Sequence, residues 1–261
     1  MNHQAKKKFG QNFLRDKNLL MKIVRDSHIH QKFVIEVGPG QGALTSFLAE
    51  QAEQVIAYEI DKSLKPILDL LEEKYHNLKV IYGDFLQTSL PSHDEMHVVA
   101  NVPYYITTPI LFKILEHPQI KTASLMIQKE VCDRLLATPN SKQYNALSVI
   151  LQNQAKVSKM LDAKRHLFHP VPQVDSAVIR IEKYENHPSD LTHQVKFNRL
   201  IKEAFRQKRK TLVNNWHQAF NISKGSLESF LEQQGFSKDV RAEQINLEQF
   251  KTLVGAWPYE N

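Results

Sequence analysis

Residues 33–48, with the sequence FVIEVGPGQGALTSFL, indicate how this chain folds. Four of the five residues 33–37 are of the β-branched and aromatic types that favour strands, and the apolar spacing of residues 43–48 is helical. The glycines between them allow a tight turn and let the backbone approach a ligand that a Cβ atom would exclude. The stretch therefore predicts a strand, a glycine turn and a helix whose N-terminus faces a ligand site.

The same alternation recurs through the first two thirds of the chain. Strand-type runs at residues 55–59, 78–82, 98–101 and 124–127 alternate with helical patterns, and residues 175–181 form a last alternating run. Strands separated by crossover helices are typical of a doubly wound parallel sheet. We therefore predict the α/β class.

The C-terminal third has a different pattern. From about residue 186 the chain shows only helical patterns, with one long helix predicted from residue 197 to residue 216. The polar residues 185–187 and the proline that follows them favour a linker. We predict an α/β domain over residues 1–184, which includes a basic segment at 1–16, and a small helical domain over residues 185–261.

Composition limits the class of protein. The chain has 261 residues and a single cysteine, Cys132, which cannot form an intramolecular disulfide and has no neighbours at zinc-ligand spacing. No apolar run approaches the roughly 18 residues that span a bilayer, and the N-terminus lacks an apolar signal core. We expect a cytoplasmic monomer with no membrane segment, and none of the 12 histidines is assigned to a metal.

Basic residues are clustered rather than evenly spread. Residues 196–210 carry seven lysines and arginines against the single acid Glu203. Such a cluster favours binding to nucleic-acid phosphates, although a solvated face of an amphipathic helix has the same pattern. The residues predicted to contact RNA are Lys7, Lys8, Arg199, Lys202, Arg206, Arg209 and Lys210.

The ends of three successive predicted strands suggest a nucleotide-like ligand. The turn glycines Gly38 and Gly40 are followed by Glu59 after the second strand, a spacing that also fits a nicotinamide dinucleotide site or a turn without a ligand. Asp84, after the third strand, could accept a hydrogen bond from an adenine amine, and Ile60 and Phe85 could enclose the ring.

The tetrapeptide Asn101-Val102-Pro103-Tyr104 follows the fourth predicted strand. The amine of a nucleobase is a poor nucleophile, and two acceptors that bind both amine hydrogens would direct its lone pair toward an electrophile. We assign those acceptors to the Asn101 side-chain oxygen and the Pro103 carbonyl, and we expect the Tyr104 ring to stack on the base. A strand end at which proline stops the ladder would look the same.

Seven motifs together resemble the small-subunit rRNA adenine N6,N6-dimethyltransferases. They are FGQNFL at 9–14, EVGPG at 36–40, NVPY at 101–104, PNSKQY at 139–144, FHPVPQVDSAV at 168–178, RQKRKTL at 206–212 and RAEQ at 241–244. The departures from the family pattern are small: Val102 stands for a common leucine, Tyr105 for a frequent asparagine and Gln173 for a frequent lysine.

The resemblance implies a class I, Rossmann-like, S-adenosylmethionine-dependent methyltransferase sheet followed by a small all-α domain. It implies dimethylation of two adjacent adenosines in the 3′-terminal hairpin of 16S rRNA during assembly of the small ribosomal subunit. The cofactor residues that it carries over are Asn12, Leu14, Gly38, Gly40, Glu59, Asp84 and Asn101. The residues implied for the target base are Asn101, Pro103 and Tyr104, with Phe168 as a second aromatic against the flipped adenine.

Three other functions fit parts of the sequence. A large-subunit rRNA adenine methyltransferase that confers antibiotic resistance would share the cofactor fold and the tetrapeptide. A binding factor, which could be an RNA or ribosome assembly protein or a relative of a transcription factor, could keep the fold and lack turnover. The intact Asn101, Pro103 and Tyr104 argue against this function. A nicotinamide dehydrogenase fits the glycine turn but lacks a second cluster suited to hydride transfer.

Overall fold

The computed structural model describes residue 6, residues 10–185 and residues 191–259. Within these residues the chain divides into two compact units. The first is assigned Met1–Cys132 and Val157–Lys183, and the second Asp133–Lys156 and Tyr184–Asn261. The predicted boundary near residue 184 falls between the units, but residues 133–156 group with the C-terminal helices and not with the α/β domain in which we predicted them.

The first unit is built on a seven-stranded sheet with the order β4-β3-β2-β5-β6-β9-β7. Its strands are β2 (Phe33–Val37), β3 (Gln54–Glu59), β4 (Leu78–Tyr82), β5 (Met96–Asn101), β6 (Ile120–Gln128), β7 (Ala155–Ala163) and β9 (Ser176–Lys183). The five strands from β2 to β6 are parallel, and β9 runs antiparallel to β6. The predicted α/β class and its six predicted strands are confirmed.

Helices cover the sheet, and apolar side chains fill the space between them. The helices that begin in this unit are α1 (Lys17–Asp26), α2 (Ala43–Gln51), α3 (Lys65–Lys74), α4 (Thr107–Glu116) and α5 (Lys129–Leu135). Every residue of β2 is buried, as expected for a central parallel strand that is covered on both faces. Because β2, β3 and β5 are adjacent and parallel, their carboxyl ends meet at one edge of the sheet.

Two features of this unit were not predicted. The edge strand β7 has the sequence AKVSKMLDA, and most of its residues are exposed or half-buried. Charged residues interrupt its apolar alternation, as is typical of protected sheet edges. A two-stranded sheet pairs β1 (Phe13–Leu14) with β8 (Phe168–His169), which lie more than 150 positions apart. Two-residue strands carry no periodicity that a sequence pattern could reveal.

The second unit is helical. It contains α6 (Ala146–Gln154), α7 (Leu191–Ala204), α8 (Leu212–Phe220), α9 (Lys224–Gln233) and α10 (Leu247–Gly255). Helix α6 packs on α7 and α10, and the Tyr144 hydroxyl donates to the Ile245 carbonyl at 3.0 Å. These contacts explain why the segment before α6 belongs to this unit.

The single helix predicted over residues 197–216 is wrong, since α7 ends at Ala204 and α8 begins at Leu212. The Thr211 side chain caps α8 by accepting from the Asn214 amide. The buried Asn215 side chain donates to the Ala204 carbonyl at 2.7 Å and to the Gln207 carbonyl at 3.2 Å, which satisfies backbone groups at the end of α7. The break is therefore stabilised by side chains that follow it in the sequence.

None of the helices in the described part of the chain combines the length and the apolar character that crossing a bilayer requires.

Candidate functional site

A cavity of about 660 Å³ opens at the edge of the sheet where β2, β3 and β5 end. Its walls come from the loops that follow these strands, the loop after β4 and the segment around β1. The predicted residues that line it are Asn12, Leu14, Gly38, Gly40, Glu59, Ile60, Asp84, Phe85, Asn101, Pro103 and Tyr104. The structure thus brings every predicted cofactor residue, and three of the four predicted catalytic residues, to one site.

The glycine turn connects β2 to α2 in a conformation that disfavours other residues. Gly40 has φ +59°, and a Cβ atom built there would lie 2.8 Å from Cε1 of Phe13 in β1. Gly42 has φ +80°, and its Cβ would lie 2.0 Å from Cδ1 of Leu71 in α3. No described side chain caps the N-terminus of α2, so its first amide groups remain available to an anionic ligand group.

Glu59, at the end of β3, ties this turn to the neighbouring strand. Its Oε2 accepts from the Gly40 amide at 3.1 Å and its Oε1 accepts from the Asp61 amide at 2.8 Å. Burial raises the pKa of Glu59, and these two amide donors oppose that rise. The carboxylate retains lone pairs that could accept from ribose hydroxyls, and the ribose contact of Glu59 stays a prediction.

Glu36 is a cavity residue that the sequence analysis missed. It lies within β2, is 1% exposed, and its Oε2 has no hydrogen-bond partner among the described residues. Burial raises the pKa of Glu36 to about 8; the Thr45 side chain opposes this rise, and the negative charge of Glu59 adds to it. The available signal was an acid inside an otherwise apolar strand, because a buried carboxyl group usually requires a partner.

The turn after β4 carries Asp84 and Phe85. The Asp84 Oδ1 accepts from the Leu86 amide at 2.9 Å, which holds the carboxylate at the start of the turn. The Phe85 ring is 3% exposed and packs edge-on against Tyr58, with ring centroids 5.3 Å apart. Ile60, at 45% exposed, offers the freer apolar surface on which a ring could lie.

The Asn101 side chain is held in one orientation. Its Nδ2 donates to the Asn12 carbonyl at 3.0 Å, and no described residue donates to its Oδ1. Because an amide has one nitrogen and one oxygen, this bond leaves the oxygen as the acceptor available in the cavity. The N-terminal segment thus orients the residue that we predicted to bind the target amine.

The other predicted acceptor is partly occupied. The Pro103 carbonyl accepts from the Ile106 amide at 3.1 Å, because a 3-10 turn follows directly at Tyr104–Ile106. The neighbouring Val102 also lines the cavity, and none of the described backbone amides donates to its carbonyl. The carbonyl of Val102 is therefore the less occupied acceptor of the two, a difference that the residue types could not reveal.

Tyr104 lines the cavity, whereas Phe168 does not. The Tyr104 hydroxyl lies 2.7 Å from the Ser176 Oγ at the start of β9, and burial raises its pKa. The Phe168 ring is 3% exposed and belongs to the hydrophobic core together with Leu14, its partner in the β1–β8 pair. The structure therefore contradicts the predicted position of Phe168 beside the target base, because strand pairing directs the ring into the core.

A polar network connects the N-terminal segment to the loop after β3. The Lys6 Nζ donates to Asp61 Oδ1 at 2.7 Å and to Ser63 Oγ at 2.6 Å, while the Gln11 side chain donates to Asp61 Oδ2 at 3.0 Å. Asp61 is buried, and these donors hold its pKa below the usual range against the opposing effect of burial. Lys7 and Lys8, predicted to contact RNA, lie outside the described residues.

The predicted RNA-contacting residues of the second unit do not form one helical stripe. Arg199 and Lys202 lie on α7, and the Arg199 guanidinium lies 5.2 Å from the centre of the Phe220 ring. The other three, Arg206, Arg209 and Lys210, are exposed in the connection between α7 and α8. Arg206 pairs with Glu203 at 3.4 Å.

A second, polar cleft of about 630 Å³ lies within this unit. Its walls contain residues of three motifs that carried the family resemblance, at 139–144, 206–212 and 241–244. The Asn140 amide donates to the Glu243 carbonyl at 2.8 Å, and the Lys208 Nζ donates to the Lys142 carbonyl at 2.6 Å. These motifs are far apart in the sequence but adjacent in the fold.

Solved structures with the same architecture define the class of protein. A dimethyladenosine transferase from Plasmodium falciparum superposes with a TM-score of 0.79 and 29% identity, over 92% of this chain and 95% of that one. The 23S rRNA methyltransferase ErmE superposes with a TM-score of 0.74 and 26% identity, over 95% of this chain and 100% of that one. The first unit is thus the sheet of a class I S-adenosylmethionine-dependent methyltransferase.

The family follows from the sequence comparisons. The model described as ribosomal RNA adenine dimethylase matches residues 2–256, and the chain belongs to that family. A relative named ribosomal RNA small subunit methyltransferase A, from Onion yellows phytoplasma (strain OY-M), is 48% identical over 98% of this chain and 97% of its own length. The implied fold, enzyme class and cofactor are confirmed, and the nicotinamide interpretation of the glycine turn is excluded.

The cavity fits S-adenosylmethionine. The cofactor has a carboxylate, an ammonium group, ribose hydroxyls and an adenine amine, and the cavity offers a partner to each kind of group. The uncapped amides at the start of α2 suit an anion, whereas the unpartnered Glu36 Oε2 and the carboxylates of Glu59 and Asp84 suit hydrogen-bond donors.

Proposed function

We propose that the enzyme dimethylates the N6 amines of two adjacent adenosines in the 3′-terminal hairpin of 16S rRNA, during assembly of the small ribosomal subunit. The relatives named ribosomal RNA small subunit methyltransferase A support this choice of subunit, since the similarity extends over nearly the whole of both chains. The observation that carries the proposal is the oriented Asn101 oxygen in the wall of the cofactor cavity.

The Asn101 Oδ1 accepts one hydrogen of the target amine, and the Val102 carbonyl accepts the other. Both residues line the cavity, and none of the described residues donates a hydrogen bond to either oxygen. Binding both hydrogens localises the nitrogen lone pair and directs it into the cavity. Tyr104 positions the base by stacking, and the contact between its hydroxyl and Ser176 keeps the ring in place.

S-adenosylmethionine supplies a methyl group bonded to a positively charged sulfonium sulfur. After the transfer, the remainder of the cofactor leaves as a neutral thioether. The residues of the chain therefore mainly bind and align, because an in-line displacement by nitrogen depends on orientation. Gly38 and Gly40 allow close approach of the backbone, Glu59 is assigned to the ribose, and Asp84 with Ile60 and Phe85 to the adenine. Asn12 orients Asn101 through its carbonyl, and Leu14 anchors β1 in the core.

The exposed basic residues of the second unit are assigned to the RNA backbone. Arg199, Lys202, Arg206, Arg209 and Lys210 are the proposed phosphate contacts there, together with Lys7 and Lys8 in the N-terminal segment. We place the reaction in the cytoplasm with pre-ribosomal small subunits as the partner, and we expect the enzyme to act as a monomer without a metal.

The test is methylation of isolated ribosomal particles. The full chain is incubated with small subunits that lack dimethyladenosine and with isotopically labelled cofactor, and nucleosides are analysed by mass spectrometry. We expect N6,N6-dimethyladenosine, located by primer extension in the 3′-terminal hairpin. Large subunits treated in parallel are the control, and label found only in large-subunit rRNA would contradict the proposal.

A further inference from the structure

Lys113, on α4, is a buried charged residue whose ammonium group contacts the turn after β4. It is 9% exposed, and its Nζ donates to the Phe85 carbonyl at 2.5 Å and to the Thr88 carbonyl at 2.6 Å. The same Nζ lies 4.8 Å from the centre of the Phe85 ring. A buried ammonium group is costly unless it is fully hydrogen-bonded, so this arrangement requires an explanation.

The turn that Lys113 holds is the one that begins at Asp84. The Asp84 carbonyl accepts from the Thr88 amide at 3.0 Å and from the Thr88 Oγ1 at 2.7 Å, and the Asp84 side chain accepts from the Leu86 amide. Asp84, Phe85 and Leu86 line the cofactor cavity, whereas Lys113 is not among its lining residues. Burial lowers the pKa of Lys113, and the negative charge of Asp84 opposes that effect.

Lysine suits this position because an ammonium group can donate to both carbonyls at once. A methionine would fill a similar volume but would leave the Phe85 and Thr88 carbonyls without their donor. The turn could then relax, and the Asp84 carboxylate would shift relative to the cavity even though the contacts of Asp84 itself are unchanged.

We propose that Lys113 is a positioning residue for cofactor recognition, which holds the Asp84–Thr88 turn so that the Asp84 carboxylate selects the amine of the cofactor's adenine. Lys113 itself does not touch the cofactor. The inference rests on the proposed role of Asp84.

Lys183, in β9, is a matched control. It is another part-buried lysine whose Nζ donates to backbone carbonyls, those of Ile114 at 3.2 Å, Leu115 at 3.0 Å and His117 at 2.8 Å, near the end of α4. It does not contact the Asp84 turn and does not line the cavity. Replacing Lys183 by methionine therefore removes a lysine of similar chemistry without affecting the adenine side of the site.

The experiment compares two ligands that differ at the adenine amine. S-adenosylhomocysteine and S-inosylhomocysteine, in which a carbonyl oxygen replaces the amine, are titrated calorimetrically into the full-length wild type, Lys113→Met, Lys113→Arg and Lys183→Met. We expect the wild type to prefer the adenosyl ligand by about 10- to 100-fold, the range of one hydrogen bond to a charged group. Lys113→Met should lose most of this preference, Lys113→Arg should recover part of it, and Lys183→Met should keep it.

Methylation kinetics give a second readout on the same proteins. Lys113→Met should raise KM for S-adenosylmethionine by about 10-fold or more while kcat changes little. The reason is that the lost interaction binds the cofactor equally in the ground state and in the transition state. If Lys113→Met does not fold, Lys113→Gln, which keeps one amide donor, is measured against the same criteria.

A preference that survives in Lys113→Met, with a loss of thermal stability like that of Lys183→Met, would show a merely structural lysine and overturn the inference. Equal binding of both ligands by the wild type would overturn it as well. Neither result bears on the rRNA substrate, which is tested separately by the appearance of dimethyladenosine in small subunits.

Discussion

The Asn101 side chain connects the N-terminal segment to the position proposed for the target amine. One atom of its side-chain amide is bound by the Asn12 carbonyl, and the other is the acceptor assigned to the target amine. The two functions cannot be exchanged, because only the nitrogen can donate and only the oxygen can accept. In the proposed mechanism the N-terminal segment therefore contributes to catalysis indirectly, by orienting Asn101.

Asn101→Ala should lower kcat for adenosine methylation by about 100-fold or more, the size expected when one preorganised hydrogen-bonding group is removed. The measurement is single-turnover methylation of small subunits at saturating cofactor. Binding of the subunits should be retained, which filter binding would check. Full activity of a folded Asn101→Ala enzyme would contradict the proposed role, and loss of subunit binding would favour a general structural effect.

Glu36 makes stability depend on pH. Its pKa is about 8 in the folded chain against an ordinary value of 4.5, so between these values the folded state holds a proton that the unfolded state has released. The contribution of this proton to folding stability is fully present below the pKa of Glu36 in the unfolded chain. It is lost as the pH rises through the pKa of Glu36 in the folded chain. The contribution of Glu36 therefore declines from about pH 5 to about pH 8.

Glu36→Gln should become progressively more stable than the wild type over that pH interval, because glutamine is neutral throughout. We expect the difference in Tm to grow by at least about 3 °C, a shift that about 1 kcal/mol produces in a chain of this size. The exposed Glu53→Gln is the matched control and should show no such trend. A Tm difference for Glu36→Gln that stays constant with pH would refute the raised pKa of Glu36.

The glycine turn and β1 pack against each other in the wall of the cofactor cavity. The Gly40 amide binds Glu59, and its Cα faces the Phe13 ring so closely that no side chain fits. The residues on either side of Phe13 are Asn12 and Leu14, which both line the cavity. We therefore expect a change at Gly40 to be transmitted through Phe13 to the neighbouring Asn12, whose carbonyl orients Asn101.

Gly40→Ala should weaken binding of S-adenosylhomocysteine and destabilise the fold by about 1–3 kcal/mol, since alanine is strained at a positive φ and its Cβ would displace Phe13. Calorimetric titration and thermal unfolding are the measurements. Gly225→Ala in α9 is the control, because nothing lies within 4 Å of its Cβ position. We expect Gly225→Ala to be neutral or to stabilise by about 0.5–1 kcal/mol. Equal effects of the two substitutions would rule out a special role for the turn.

Charge along the chain is the property most relevant to the RNA partner. The sequence carries 34 basic and 28 acidic residues, and a cluster of exposed positive charge lies between α7 and α8. The Asn215 side chain holds the two ends of this connection together by bonding the carbonyls of Ala204 and Gln207. Phosphate contacts release counterions, so their number can be measured through the salt dependence of binding.

A variant with Arg206→Gln, Arg209→Gln and Lys210→Gln should bind small-subunit rRNA more weakly and with a shallower salt dependence. Each lost phosphate contact reduces the slope of log K against log salt by about 0.7–0.9, so three contacts would reduce it by about 2–3. The exposed Lys238→Gln serves as the control. An unchanged slope in the triple variant would mean that these residues face solvent in the complex.

Local patterns were sufficient for the α/β class, for six strands and the glycine turn along the chain, and for the residues at the ends of β2 to β5. The physical reason is that parallel strands expose their carboxyl ends at one edge, so polar residues placed after each strand must converge there. The resemblance added the family and its cofactor, because seven ordered motifs are far more specific than any single turn.

Long-range packing determined what local patterns could not show. The core position of Phe168 depends on its pairing with Leu14. The orientation of Asn101 depends on the Asn12 carbonyl, and the Asp84 turn is bound by Lys113 of α4. The break between α7 and α8 likewise depends on Asn215, which acts on carbonyls that precede it. The spacing of residues in the sequence does not reveal which of them form these contacts. Hydrogen bonds and packing across the fold depend on distance in space and not on distance along the chain.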